Sequence, residues 1–394
     1  MSTASASPHY LDYFPLRVIP PDSQDALYKA VFNWIDCAQC SNAGKCGAGN
    51  CLWTQKRILG LYHQHYVDLT SCCSPRDWGT SHLALRSHDD LIIIIRLIEN
   101  QPKTPRDVLI KKHFESYGTS QPIDVEKGRA FDLAFSTLTM IPCSESNHHL
   151  NSEPIAVWVT WKNDQTAEQL VRSTIPKATF MDPGIACRVL QSVSAEQLEL
   201  AKIKIVATHK FHKHLYFDPR LRVVHIFVHV GFLRATLNAR CDAFRPNNDI
   251  VPRDLALETI YTVADVIFRR TDFASSEVAA RIKCDMGFLD FNPSQWSEDG
   301  DAALIGFPYW GRRLSILLKE VESARRKSGW LLLLKKRFNE NGRVMIFIGV
   351  LTMVVAIVAV VYQARPGAAD VKSRGDEAGR CGKANETYDG SIML

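Results

Sequence analysis

Apolar residues recur at helical spacing along most of the first 330 residues, and an unbroken apolar run follows near the C-terminus. Residues 25–36 place Leu27, Val31, Phe32 and Ile35 on one side of a helix, and a second helical pattern runs over 52–69. Asp89 and Asp90 open a run to Glu99 with acids at the favourable end, although its four consecutive isoleucines fit a buried strand equally well. Thr104-Pro105-Arg106-Asp107 is a helix start, and that helix ends near Tyr117-Gly118. Asp124 starts another, whose stripe is Ala130, Leu133, Ala134, Leu138 and Met140. Further helices are expected over 194–203, 252–269 and 312–326, the last with Leu314, Leu317, Leu318 and Val321 facing one way.

Strand signals are few. Residues 154–161 (PIAVWVTW) alternate, and Leu215-Tyr216-Phe217, the Asp218-Pro219 turn and residues 222–230 (RVVHIFVHV) read as a short hairpin. The expected fold class is therefore mainly α with minor β: a multi-helical soluble domain followed by one C-terminal transmembrane helix.

The apolar run occupies 344–362, VMIFIGVLTMVVAIVAVVY, without a charge. At about 1.5 Å per residue it covers roughly 28 Å, close to the hydrocarbon thickness of a bilayer. Only a helix satisfies every backbone group in that medium, so its β-branched residues do not argue for a strand. Gly349, Thr352, Ala356 and Ala359 form a small-residue stripe along it, of the kind that lets two such helices pair as a homodimer.

Charge gives the run an orientation. Arg325, Arg326, Lys327, Lys335, Lys336, Arg337 and Arg343 precede it within about 20 residues, against Arg365, Lys372, Arg374 and Arg380 after it. That bias places the N-terminal domain in the cytosol and the tail in the lumen or outside the cell, where Asn385 of the sequon Asn385-Glu386-Thr387 can accept a glycan. Which membrane this is the residues do not specify. No cleaved signal peptide is visible in residues 1–20.

The whole chain carries only +5, whereas residues 312–343 hold ten Lys/Arg and three Asp/Glu, so the basicity is juxtamembrane. Its expected partner is anionic lipid; nucleic acid is not needed to explain it. The expected division is 1–88 (N-terminal region with a Cys-rich loop), 89–311 (mainly helical core with short β elements), 312–343 (basic amphipathic juxtamembrane segment), 344–362 (span) and 363–394 (polar, disordered tail).

Candidate chemistry lies in two clusters. Cys37, Cys40, Cys46 and Cys51 alternate with Gly44, Gly47 and Gly49. Four thiolates suit a closed structural zinc site, but unliganded thiols and disulfides fit the same loop, and only the first pair has knuckle spacing. The other cluster is His209, His212, His214, His225 and His229. As a strand, 222–230 projects His225 and His229 to one face with Phe227 between them; surface or satisfied core histidines are the default reading, with a metal role as the sharper one.

The helix–turn–helix–turn–helix pattern over 89–140, followed by a strand, has winged-helix character, yet its third helix offers only Lys127 and Arg129 near its start. Phosphate-binding GxxxxGK[ST], GxGxxG after a strand, GxSxG and HExxH patterns are absent, which argues against an enzyme without excluding one.

DYFPLRV (residues 12–18), CLW (51–53), RAFDLAFSTLTMIPCS (129–144), HIFVHVGFL (225–233) and FPYWGRRL (307–314), followed by a basic segment and a terminal span, together resemble a group of filamentous-fungal (ascomycete) membrane proteins of uncharacterised function. The resemblance implies a predominantly helical protein with one C-terminal span and brings no catalytic residues. The functional expectation is an interaction or scaffold module for a protein partner at the cytosolic face of a membrane. The alternative is an accessory protein or cryptic enzyme of a fungal secondary-metabolite pathway.

Overall fold

Start signals written into the sequence fix most helices, and the computed structural model shows how they pack. It describes residue 16 and residues 18–34, 51–71, 83–118, 121–144, 158–238, 250–269, 273–285, 306–326, 352–357 and 359. These divide between two units, Met1–Lys327 and Ser328–Leu394.

In the first unit α1 (Pro21–Phe32) begins earlier than its apolar spacing suggests, because Pro21 sits at its start, where no intrahelical N–H is required. Asn33, in the left-handed region at φ 57°, ends it. The pattern over 52–69 splits in two. Residues Leu52–Leu59 wind as a 3-10 helix, opened by Thr54 donating both its amide and its hydroxyl to the Cys51 carbonyl, and α2 (Gly60–Ser71) follows.

The isoleucine run resolves as a helix, α3 (His88–Asn100), capped by the Ser87 hydroxyl accepting the Asp90 amide. Leu91, Ile94, Ile95 and Ile98 are buried whereas Ile93 is half exposed, which is helical periodicity and not alternation. Next comes α4 (Arg106–Phe114), where Pro105 takes the cap position and the first amides, of Arg106 and Asp107, donate to the Gln165 and Asn163 carbonyls. Gly118, at φ 58°, closes the 3-10 turn after it.

At the centre of the core is α5 (Asp124–Thr139), buried at every position from Ala130 to Thr139. Its Ser136, Thr137 and Thr139 hydroxyls donate to carbonyls one turn back, which makes their burial affordable. A nucleic-acid reading helix keeps one face in solvent, whereas α5 is enclosed from Ala130 to Thr139. Arg106 reaches α5 from α4, pairing with Asp132 at 3.0 Å and donating to the Gly128 carbonyl, with both charged side chains almost fully buried.

Three short helices follow, each with a side-chain cap: α6 (Ala167–Thr174, a Thr166/Gln169 capping box), α7 (Pro183–Ser192, Asp182) and α8 (Ala195–Leu200, Ser194). The hairpin forms, but within a three-stranded sheet of order β1-β3-β2. Here β1 (Lys204–Thr208) runs parallel to β3 (Val223–Phe227), and β2 (Tyr216–Asp218) runs antiparallel on the other side. Of the expected strand over 154–161, residues 154–157 lie outside the described residues; Val159 makes a single bridge to Cys143.

Beyond the sheet lie α9 (Val230–Asn238), α10 (Arg253–Tyr261) with a π-helical turn over Thr262–Ile267, α11 (Phe273–Arg281) and α12 (residues 311–326). The last docks through Leu314, Leu317, Leu318 and Val321, all buried. Its entry is held by polar groups: Glu258 accepts the Tyr309 and Trp310 amides, Trp310 Nε1 donates to Thr259 at 2.8 Å, and Arg313 donates to the His212 and His214 carbonyls.

The described residues of the second unit, 352–357 and 359, are helical, with Met353, Val354, Val355 and Ile357 exposed. No helix among the described residues is long and apolar enough to cross a membrane. Most of the expected span, 344–362, lies outside them.

Candidate functional site

The fold brings two of the five clustered histidines together and adds a third from far along the chain. Because β1 and β3 are parallel with Thr208 opposite Phe227, their C-terminal ends lie side by side. His209 is the first residue past β1, and His229 lies two residues past β3, just before α9. His209 Nδ1 and His229 Nε2 share a hydrogen bond of 2.7 Å. From the other side comes His65, on α2, its ring stacked on His209 at 10° between planes. One nitrogen from each of the three lies within 4.8 Å of the others.

Hydrogen bonds tie the elements beneath to the core. Tyr62 and Tyr66 flank His65 on α2; Tyr62 donates to the Thr137 carbonyl on α5, and Tyr66 pairs with His88 on α3 at 2.6 Å. His209 is fixed from behind, where Lys210 donates to the Thr208 hydroxyl and Phe211 to the Met140 carbonyl. Gly231, just past His229, leaves no room for a side chain: a Cβ there would run into the Ile58 carbonyl and the Asp285 carboxylate.

The environment keeps all three imidazoles neutral. Burial lowers His65 to about 4, with His209 adding to the effect and Asp68 opposing it. His229 is held well below 6.5 by burial and by both neighbours, and His209 is lowered by burial against Asp68. A neutral imidazole has one basic lone pair, the form in which histidine ligates a metal, although one of the three accepts the His209–His229 hydrogen bond. His209 is exposed, His65 half-buried and His229 buried, which opens the site to solvent on one side.

The remaining histidines play other parts. His225 and His229 do not share a strand face, since β3 ends at Phe227; His225 instead lies opposite Tyr216. His214 is wholly buried and uses both nitrogens, Nδ1 accepting the Phe227 amide and Nε2 meeting the Thr262 hydroxyl at 2.8 Å. His212 is buried in the turn after β1. The sequence pattern missed His65, although His65 and Asp68 one turn later on a predicted helix were a readable sign of a polar site.

Of the proposed zinc ligands, Cys51 is buried at the start of the 3-10 helix, and Cys37, Cys40 and Cys46 lie outside the described residues, as do Asn385 and Gly349. Thr352, Ala356 and Ala359 are helical and exposed. Among the described residues, His65, His209 and His229 form the one group that could hold a metal ion.

A second feature is the outer face of α12. Arg312, Ile316, Lys319 and Arg326 fall within one side of the helix, opposite Leu314, Leu317, Leu318 and Val321, and all four are exposed. No ion pair engages these three cations among the described residues. No protein-family model, curated protein or solved structure matches the chain.

Proposed function

We propose that this chain is a single-pass membrane protein whose helical unit is an interaction module held at the cytosolic face, with the outer side of α12 lying on anionic lipid. The observation that carries this reading is the exposed basic face Arg312–Lys319–Arg326 around exposed Ile316, which no ion pair engages among the described residues, on the helix that leads into the basic stretch and the apolar run. Near an anionic surface each such cation contributes on the order of 1 kcal/mol, so three give about 3 kcal/mol, or roughly a hundredfold in partitioning. The uncovered apolar side chains of Met353, Val354, Val355 and Ile357 support the span, and the stripe Gly349, Thr352, Ala356 and Ala359 gives it a face for a homodimer.

Two measurements test this. The full chain in membranes should resist carbonate extraction, and deleting 344–362 should leave a protein that floats with anionic but not neutral vesicles. Charge reversal at Arg312, Lys319 and Arg326 in that deletion should abolish flotation. Carbonate-resistant association after the deletion, or equal flotation on neutral vesicles, would refute the arrangement. A glycan lost in Asn385→Gln would fix the orientation, and affinity purification from detergent would identify the protein partner. The histidine cluster, open to solvent, is what favours the second reading, an accessory protein or cryptic enzyme of a biosynthetic pathway.

A further inference from the structure

His88, His214 and His229 are all buried but use their ring nitrogens differently. His214 and His88 are built in as structural groups: each spends both ring nitrogens on partners, His214 on the Phe227 amide and Thr262, His88 on Tyr66 and the Val18 carbonyl. His229 is as deeply buried, yet among the described residues its Nδ1 has no hydrogen-bond partner and its Nε2 meets only another histidine. A buried polar atom without a partner costs about 1–3 kcal/mol, so His229 is not placed here for the hydrogen bonds it makes; its Nε2, aimed at His209, is the atom able to change partner.

We infer that His65, His209 and His229 form a binding site for one divalent transition-metal ion of the zinc, copper or nickel class, which enters by replacing the His209–His229 hydrogen bond with two metal–nitrogen bonds, the proton of that bond passing to the other nitrogen of the exposed His209 ring.

The geometry is close to what such an ion needs. With metal–nitrogen bonds of about 2.0–2.1 Å in a tetrahedral arrangement, ligand nitrogens stand roughly 3.3–3.4 Å apart. The His209–His229 pair, at 2.7 Å, must open by about 0.6 Å, and the third nitrogen, within 4.8 Å, closes by about 1.4 Å at most. His209 is exposed and past the end of β1, so it can make the adjustment by side-chain rotation while buried His229 stays in place.

The donor set selects the ion. Three imidazoles suit zinc, copper and nickel, whereas calcium and magnesium require oxygen ligands. The surroundings add what imidazole ligands usually have nearby: Asp68, one turn beyond His65, is close enough to act electrostatically on both His65 and His209. Three protein ligands and one open side leave a fourth position for water or an added ligand, the coordination of a site that can exchange what it holds.

The site also lies where the topology favours one. It is at the carboxyl ends of adjacent parallel strands, and its three ligands come from segments separated by more than 140 residues in one case and 20 in the other, joined only through the folded core.

The Cys-rich loop contains thiols that also bind zinc, so the test must tell sulfur from nitrogen. Full-length protein, purified in detergent and stripped with chelator, is titrated with Co2+, whose visible bands report tetrahedral ligation and whose thiolate bonds add a separate near-ultraviolet charge-transfer band. One equivalent should bind with visible bands and no charge-transfer band in a Cys37→Ser/Cys40→Ser variant. That signal should disappear in His209→Ala, at an exposed position where folding is not at stake, and return in part in His209→Asp, which restores a ligand. Zinc should raise the thermal midpoint of the Cys37→Ser/Cys40→Ser protein and leave it unmoved in the same protein carrying His209→Ala; calcium and magnesium should move neither. Absence of the nitrogen-type spectrum in the Cys37→Ser/Cys40→Ser protein, or its persistence in His209→Ala, would overturn the assignment.

Discussion

Glu258 is the sharpest place to perturb the fold, because its charge and its task conflict. On α10 it accepts the Tyr309 amide at 3.0 Å and the Trp310 amide at 2.7 Å, satisfying two donors where α12 begins. Those donors favour the carboxylate, and so does Lys177; burial and Asp254 favour the neutral acid, and burial outweighs the rest, raising the group from 4.5 to about 7. Between those values the folded protein binds a proton that the unfolded chain has released. The stabilisation is therefore complete below about pH 4.5 and is lost as pH rises through 7. At about 1.4 kcal/mol per pH unit the difference amounts to about 3 kcal/mol. Glu258→Gln keeps one oxygen acceptor in place and removes the titration. Urea midpoints of the two proteins, measured from pH 4.5 to 8.5 in detergent, should show the native protein losing about 3 kcal/mol relative to the variant as pH rises, since the other titrating groups are common to both. Parallel curves would refute the reasoning, and so would a native protein that gains on the variant with pH.

Two other substitutions probe the framework around the histidines and the central helix. Gly231→Ala should destabilise by at least about 2 kcal/mol, because its Cβ meets the Ile58 backbone carbonyl, which cannot rotate away; an unchanged melting midpoint would show the segment to be looser than described. Asp132→Asn should cost about 3–5 kcal/mol by leaving the buried Arg106 guanidinium without its counter-charge, whereas replacing both residues with apolar ones should cost less; chemical denaturation of the two variants beside the native protein decides it.

Most helices were legible because their signals are local. The apolar stripe of α12 and the start of α3 can be counted from neighbours a few residues apart, and the isoleucine run was ambiguous only until burial chose between two periods. Helices α6 and α7 were not anticipated: with 8 and 10 residues they are too short for a strong stripe, and their caps are the better signal. The parallel strand β1 was missed for a related reason, as five residues carry little pattern and its partner is the second arm of the hairpin, reached only after β2. The histidine cluster shows the same limit. His209 and His229 were visible as a dense run, but their adjacency depends on parallel register, and that of His65 on how α2 packs. The strand reading placed His225 beside His229 because it could not foresee that β3 stops at Phe227.

Position along the chain gives α12 a mechanical meaning. The polypeptide leaves the first unit from the C-terminal end of this helix, so any pull arriving along the chain from beyond residue 326 is applied there first. Polar ties meet it at both ends: Arg325 on Gln197, Glu322 on Arg188 and Glu320 on Arg222 nearer the exit, and Arg313, Trp310 and Glu258 at the start of the helix. The ties nearer the exit are exposed or half-exposed and the Trp310 ties at the start are buried, so the start of the helix, where a single proton changes the grip, is the stronger hold on the core.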